Sequence, residues 1–151
     1  MEFKIATISD IKILSEIRIE VLKAANKLDE VVELNGVKKE TEDYYKKAFF
    51  EKSNVTCLVY DNGQFVGCGS ISYYSVMPTY SNPTGKKAYI MNMYTRKEYR
   101  RKGVASNILD LLINDAHNKG IKCISLEATE IGKKLYEKYG FKQMKDEMEY
   151  L

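Results

Sequence analysis

Residues 88–106 read AYIMNMYTRKEYRRKGVAS, and this stretch decides the fold. Its first eight residues are mostly apolar or aromatic, which predicts a strand buried on both faces. Three consecutive cations, Arg100 to Lys102, then precede Gly103, and apolar residues at helical spacing begin at Val104. A glycine turn that feeds a helix leaves the first N–H groups of the helix without acceptors, at its positive dipole end. The sequence therefore predicts a strand, an anion-binding turn and a helix.

The remaining segments predict further strands and helices on both sides of this stretch. Two β-rich runs flank Asn62-Gly63, a pair that favours a hairpin turn because both central residues need positive φ. Strands are predicted over residues 2–8, 55–60, 65–74, 87–95, 121–127 and 141–151. Helices are predicted over residues 11–25 (with Ser9 as N-cap), from about residue 41, over 104–119 and over 131–139. This order predicts an α+β fold with a mixed, mostly antiparallel sheet and about four helices.

Two finer expectations concern a loop and the last helix. The 75–87 loop holds both prolines, and a loop of that length in a compact domain is typical of a binding loop. In the last helix, Ile131, Leu135 and Tyr139 share one stripe, which predicts that this stripe faces the core.

The composition indicates which broad class of protein the chain belongs to. The chain has 151 residues, of which 44% are hydrophobic and 30% charged, as expected of a single globular domain over residues 1–151. Neither a signal peptide nor an apolar run of about 18 residues is found, so we expect a cytoplasmic protein without membrane contact. Cys57, Cys68 and Cys123 are odd in number and lie in predicted strands. They indicate reduced, buried thiols and no metal site.

Charge is distributed unevenly although the net charge is only +3. Residues 96–102 carry five cations and one acid, whereas residues 29–43 carry six acids and two lysines. The first segment suits a polyanion and the second a cationic partner. A nucleic-acid binder is disfavoured by the acidic segment, the modest net charge and the lack of a recognised motif.

Two motifs resemble the GNAT family of N-acetyltransferases. The run RRKGVA at residues 100–105 fits every fixed position of that family's acetyl-CoA loop, [QR]-x-x-G-x-[GA]. The run ATEIGKKLYEKYGFK at residues 128–142 resembles the family's last helix and the segment after it. The chain has neither a Walker P-loop nor a dinucleotide fingerprint.

The resemblance implies a GNAT-type fold and direct transfer of an acetyl group from acetyl-CoA to an amine of a small molecule or protein. It implies that backbone N–H groups hold the pyrophosphate and that the open edge of the 87–95 strand lines up the pantetheine. The cofactor-binding residues implied are Met93, Tyr94, Thr95, Arg100, Arg101, Lys102, Gly103, Val104, Ala105 and Ser106. A homodimer is compatible with the resemblance.

The catalytic residues implied are Tyr136, Glu127 and Asn92. Tyr136 matches the family's general acid, and a phenol is protonated at neutral pH, so it can protonate the departing thiolate. The predicted strand over residues 87–95 contains Asn92 and no acidic residue, so the sequence does not identify the general base. Asn92 could orient a water or substrate amide or satisfy a bulge, Glu127 could act directly or through water, or no direct base exists.

We expect the acceptor to enter between the N-terminal helices and the 75–87 loop. The candidate substrate-binding residues are Tyr80, Tyr73, Glu20 and Glu33, as aromatic walls and as acids that attract a cation. The alternative function is a non-catalytic acyl-CoA-binding or sensory module on the same fold. Turnover of an amine distinguishes the two.

Overall fold

A five-stranded sheet with four helices makes up the computed structural model, which describes all 151 residues. The elements are β1 (Glu2–Ile5), α1 (Ile11–Ala25), α2 (Asn35–Glu51), β2 (Asn54–Asp61), β3 (Gln64–Ser75), β4 (Lys86–Thr95), α3 (Val104–Asn118), β5 (Ile124–Leu126) and α4 (Glu130–Tyr139). The strands lie in sequence order across the sheet. Neighbours are antiparallel from β1 to β4, and β4 and β5 are parallel. The predicted α+β class and mixed, mostly antiparallel sheet are confirmed.

The hairpin between β2 and β3 turns at Asn62 and Gly63, whose φ angles are 49° and 80°. Both are positive, as the sequence predicts for this pair. The turn fixes the pairing of Tyr60 with Phe65, and a bulge next to it shifts the register by one residue. This long hairpin forms the centre of the sheet.

Two hydrophobic cores lie on the two faces of the sheet. On one face α3 packs through Ile108, Leu109 and Leu112, all fully buried. On the other face α1 packs through Leu14 and Ile17. Successive residues of β2 alternate between these cores, as the pleat requires. Each fully buried leucine or isoleucine contributes about 1.5–3 kcal/mol to folding.

The bulge in β4 positions the site. Cys68 pairs with Tyr94, but Ser70 pairs with Met91, so β4 carries one extra residue there. Asn92 lies in this bulge and has a φ of 60°. This is the left-handed region, which asparagine adopts more readily than most residues. Beyond Ile90, β5 no longer pairs with β4. The edge of β4 over residues 91–95 is therefore free on the β5 side.

The predicted last strand and the predicted start of the second helix are both wrong. No strand forms over residues 141–151, where Met148 and Tyr150 are fully exposed. β5 pairs over only three residues, so it offers a further strand a very short edge. The second helix begins at Asn35 rather than near residue 41. Its first turns make few core contacts, so apolar spacing could not reveal them.

The entry to α1 also differs from prediction, because Ser9 is not its N-cap. Residues Ile8–Asp10 form a 3-10 turn that leads into the helix. Thr7 caps this turn, and the Asp10 carboxylate accepts a hydrogen bond from the Thr7 backbone N–H at 2.7 Å.

The loop between β3 and β4 is ordered by its own hydrogen bonds. The Val76 N–H donates to the Gly85 carbonyl at 2.8 Å, and Thr79 and Asn82 bond to each other through their backbones. Tyr80 lies at the tip with its side chain fully exposed.

Candidate active site

A cavity of about 740 Å³ opens along the free edge of β4. Its walls are the C-terminal end of α1, the β4 edge, the loop between β4 and α3, and the N-terminal part of α4. Helix α3 begins at one end of the cavity with its N–H groups facing the loop. The cavity therefore combines an open strand edge with the positive ends of two helices.

The loop over residues 100–106 presents a row of free backbone donors. None of the N–H groups from Arg101 to Ser106 donates to a backbone or side-chain acceptor of the chain. Arg101 and Gly103 both have positive φ, 62° and 81°, and successive N–H groups converge in such a turn. A Cβ on Gly103 would meet no atom closer than 3.9 Å. Glycine is needed there for its φ and for the open space in front of it.

The three predicted cations of the loop take different positions. The Arg100 Nε donates to the Thr95 carbonyl oxygen at 3.1 Å, so its side chain folds back on the end of β4. The Lys102 ammonium lies 5.3 Å from the centre of the Tyr99 ring. Arg101 lines the cavity without a protein partner. The loop is thus electropositive, and both Arg100 and Arg101 line the cavity.

The first turn of α3 contributes main chain rather than side chains. The Val104 side chain is buried in the core, so toward the cavity this residue offers its N–H. Ala105 and Ser106 line the cavity and are small enough to leave those N–H groups accessible. All ten predicted cofactor-binding residues except Lys102 are brought to the cavity.

Glu20 and Arg96 link α1 to the end of β4. Both oxygens of Glu20 accept hydrogen bonds from Arg96, at 2.8 and 3.0 Å, and Tyr94 lies beside Glu20 in the lining of a second cavity. The Arg96 hydrogen bond lowers the pKa of Glu20 despite its partial burial. Burial and Glu20 together raise the pKa of Tyr94 to about 12. The charge of Glu20 is therefore compensated within the chain.

Tyr136 lies against Gly132 at the α4 wall of the cavity. A Cβ on Gly132 would lie 2.9 Å from the Tyr136 Cε2, so the glycine makes room for the ring. Tyr136 is only 9% exposed, yet its hydroxyl has no protein partner and is not sealed from solvent. Burial raises its pKa above the usual 10.0. The structure therefore holds a protonated phenol whose hydroxyl reaches the cavity.

The predicted core stripe of α4 is right at Leu135 and Tyr139, which pack against the core, and wrong at Ile131. Ile131 is 82% exposed, whereas Tyr136 is the one buried residue of the helix. Tyr139 is anchored by a hydrogen bond from its hydroxyl to Asp110 of α3. The helix follows its N-cap, Thr129, and the side that carries Tyr136 faces the core. A short helix shows too few turns for sequence periodicity alone to fix its rotation.

Asn92, at the bulge of β4, and Glu127, directly after β5, both lie outside the cavity lining. The Asn92 Oδ1 accepts a hydrogen bond from Arg18 Nη1 at 2.9 Å, and its backbone oxygen accepts one from Cys68. Glu127 is exposed at the end of β5, next to Tyr89. Burial, and then the Glu127 carboxylate, raises the pKa of Tyr89.

The four predicted acceptor residues are not brought together. Tyr73 lies on the α3 face, where its hydroxyl donates to Asp115 and the Lys119 ammonium sits 4.3 Å from its ring centre. Tyr80 and Glu33 are exposed on separate loops. Glu20 lines a second cavity of about 560 Å³ beside the first.

Sequence reasoning missed the α1 wall of the cavity and the arginine beside it. Val21, Ala24 and Ala25 form that wall, and Arg18 lies one turn earlier. The paired alanines were the available signal, since small side chains on the last turn of a helix permit close approach of a ligand.

The structure shows neither a cluster of metal-ligating side chains nor a membrane-spanning helix. Nowhere do three or more histidine, cysteine, aspartate or glutamate side chains come together in a way that could hold a metal ion. None of the helices combines the length and the apolar composition that crossing a bilayer requires.

Comparison with known proteins gives one family. The model of the Acetyltransferase (GNAT) family matches residues 22–141, which is most of the chain. No curated protein matches the sequence significantly.

Solved structures give the same picture. The structure of a predicted acetyltransferase from Clostridium acetobutylicum with acetyl-CoA is 31% identical, with a TM-score of 0.90 over 99% of this chain and 95% of that chain. A GCN5-related N-acetyltransferase from Ralstonia eutropha JMP134 is 19% identical, with a TM-score of 0.85 over 99% and 97%. Glucosamine-6-phosphate N-acetyltransferase from Arabidopsis thaliana is 19% identical, with a TM-score of 0.70 over 100% and 99%. The last two similarities bear on the fold.

Proposed function

The chain belongs to the GNAT family of acetyltransferases, and we propose that it moves the acetyl group of acetyl-CoA directly onto an amine of a small molecule or a protein. The observation that carries this proposal is the row of free N–H groups over residues 101–106 at the end of an open cavity. Such a row at a helix N-terminus suits a diphosphate. The presence of acetyl-CoA in the similar protein from Clostridium acetobutylicum supports the same co-substrate here.

The β4 edge suits the pantetheine arm. Its residues 91–95 have no strand partner on the β5 side, so their backbone groups are free to pair with the amides of an extended ligand. Met93, Tyr94 and Thr95 all line the cavity. A ligand held there runs from the loop of residues 100–106 along β4 toward the bulge.

Tyr136 is proposed as the general acid. In the reaction the amine nitrogen bonds to the carbonyl carbon of the thioester, the carbon–sulfur bond breaks, and the sulfur leaves with the electron pair. A thiol pKa near 8.5 makes that leaving group modest, so a proton from Tyr136 assists it. The raised pKa keeps this proton in place across the neutral range.

The amine must lose a proton before it attacks. A primary amine with a pKa of about 10.4 costs roughly 4–5 kcal/mol to deprotonate at neutral pH. Glu127 and Asn92 remain the proposed participants, Glu127 as a base through water and Asn92 as the group that orients a water or a substrate amide. Glu127 is exposed, Asn92 is buried, and both lie outside the cavity lining, which favours a water relay over direct contact.

The test is turnover. The purified protein is incubated with acetyl-CoA and a panel containing a polyamine, L-amino acids, an amino sugar and a peptide, and free thiol is measured. Release of CoA with one class of amine, together with mass detection of the acetylated product, is the expected result. Binding of acetyl-CoA without turnover of any amine would instead favour the non-catalytic reading.

A further inference from the structure

Arg18, in the second turn of α1, is a half-buried cation without an acidic partner. The ion pairs of the chain are Lys4–Asp10, Arg96–Glu20 and Lys119–Asp115, and Arg18 is in none of them. Arginines withdrawn from solvent are normally paired with a carboxylate. The one hydrogen bond of Arg18 goes to a neutral amide, the Asn92 Oδ1.

The remaining donors of this pair point to accessible space. No buried side-chain nitrogen or oxygen in the structure lacks a partner. Since Nε and Nη2 of Arg18 and Nδ2 of Asn92 have no acceptor in the chain, these atoms must reach solvent. Because Asn92 uses its oxygen to accept from Arg18, its amide turns donors outward. The two side chains thus present several N–H groups and no free acceptor.

The acidic residues near Arg18 and Asn92 either bond to other residues or lie too far away to form an ion pair with Arg18. Glu20, two residues along α1, is held by Arg96 through both of its oxygens. Glu42 of α2 accepts a hydrogen bond from Ser15 and lies beyond ion-pair distance of Arg18. Glu127 faces Tyr89, three residues before Asn92 on β4, or about 10 Å along the strand. An unneutralised positive charge therefore remains at the bulge.

The pair adjoins the cavity at the end opposite the phosphate loop. Asn92 immediately precedes Met93, and Arg18 lies one helical turn before Val21; both of these neighbours line the cavity. The loop of residues 100–106 lies at the other end of β4. A group bound at Arg18 is therefore next to the position where an extended ligand along β4 would end.

We infer that Arg18 and Asn92 bind an oxyanion of the acceptor, so that the amine substrate also carries a carboxylate or phosphate a few bonds from its nitrogen. This inference rests on the proposed function. The planar guanidinium offers two parallel N–H groups, which is the geometry that carboxylates and phosphates accept. A cationic polyamine would instead be repelled by Arg18.

The experiment compares matched acceptors that differ only in the anion. One arm uses L-amino acids against their amides, and the other uses phosphoethanolamine against ethanolamine, each with acetyl-CoA and thiol detection. In one arm we expect kcat/KM to favour the anionic member by about 10- to 100-fold, the range of a hydrogen bond to a charged group. The arm that responds distinguishes a carboxylate from a phosphate.

Variants assign the preference to Arg18. Arg18→Gln should remove most of the preference for the anionic member. Arg18→Lys keeps the positive charge but loses the two parallel N–H groups, so it should retain part of the preference. Lys12→Gln, which removes one exposed charge from the same helix, is the matched control and should leave the preference unchanged. Circular dichroism and acetyl-CoA binding of each variant report whether it is folded.

The outcomes separate the two proposals. Equal use of anionic and neutral amines by the wild type, or equal loss with both in Arg18→Gln, would overturn the anion site and leave the acetyltransferase standing. Absence of turnover with every amine in both arms would overturn the proposed function and this inference together.

Discussion

At Tyr136, burial of the ring and access of the hydroxyl to the cavity are combined in one side chain. If it protonates the leaving sulfur, Tyr136→Phe should lower kcat by about 10²- to 10⁴-fold, the range of general acid catalysis. The KM for acetyl-CoA should change little, because the phenol is proposed to act in the chemical step and not in holding the cofactor. Steady-state kinetics with a saturating amine measure both constants.

Tyr139→Phe is the matched control for that substitution. It removes a hydroxyl from the same helix, but one bonded to Asp110 outside the cavity. It should lower thermal stability while kcat stays within a few-fold of the wild type. Comparable losses of kcat in both variants would mean that Tyr136 acts by holding α4 rather than by giving a proton.

Gly132 sets the position of the Tyr136 ring. In Gly132→Ala the new Cβ would lie 2.9 Å from the Tyr136 Cε2, closer than a carbon contact allows, so the ring must shift. Displacement of the ring should reduce kcat by about 10-fold or more, since small misplacements of catalytic groups lower the rate by at least this factor. Alanine also favours the helix, so melting temperature should not fall in step with kcat. Unchanged kcat would show that the ring position is not critical.

How far single residues can be predicted from sequence depends on what fixes their conformation. Gly63 and Gly103 were predictable because a turn demands positive φ locally, and glycine supplies it. Asn92 and Arg101 also have positive φ, but neither residue type requires it, so the sequence does not indicate these positions. Arg18 was not predictable, because its role comes from a hydrogen bond to a residue 74 positions away.

At the scale of elements, the Glu20–Arg96 pair links α1 to the end of β4. Both helix and strand line the cavity, so this contact sets the width of the site. The local motif predicted the β4–α3 unit well, since strand, turn and helix follow one another there. The missing last strand was not predictable, because strand formation over residues 141–151 depends on an edge that β5 is too short to offer.

The Glu20–Arg96 pair makes part of the stability dependent on pH. The pKa of Glu20 is lowered in the folded protein, so its contribution is complete above the ordinary glutamate pKa and is lost as pH falls through the folded value. Glu20→Gln should therefore destabilise the protein by about 1 kcal/mol at neutral pH, as expected for a half-exposed pair. The difference from the wild type should vanish in acid. Urea unfolding at several pH values measures it, and a constant difference would assign the effect to packing.

At the scale of the whole molecule, both cores are built on one sheet and share the β2–β3 hairpin. Neither core can therefore lose its packing while the other remains intact, and we propose that residues 1–151 unfold as one domain. Near-ultraviolet and far-ultraviolet circular dichroism should report a single coincident transition. Acetyl-CoA at 100 times its dissociation constant should stabilise the protein by about 2.7 kcal/mol and raise that transition. Two separate transitions would indicate independent halves.

Calorimetric titration of acetyl-CoA into the wild type, Gly103→Glu and Gly120→Glu tests the central claim most directly. Gly120 also has a positive φ, 73°, with open space around it, but lies at the far end of α3. The two variants thus carry the same strain and charge, and only Gly103→Glu places a carboxylate among the free N–H groups of the loop. We predict one-to-one binding by the wild type and Gly120→Glu, and loss of binding by Gly103→Glu. No binding by the wild type, or equal binding by both variants, would contradict the assignment of residues 100–106 as the site for the diphosphate.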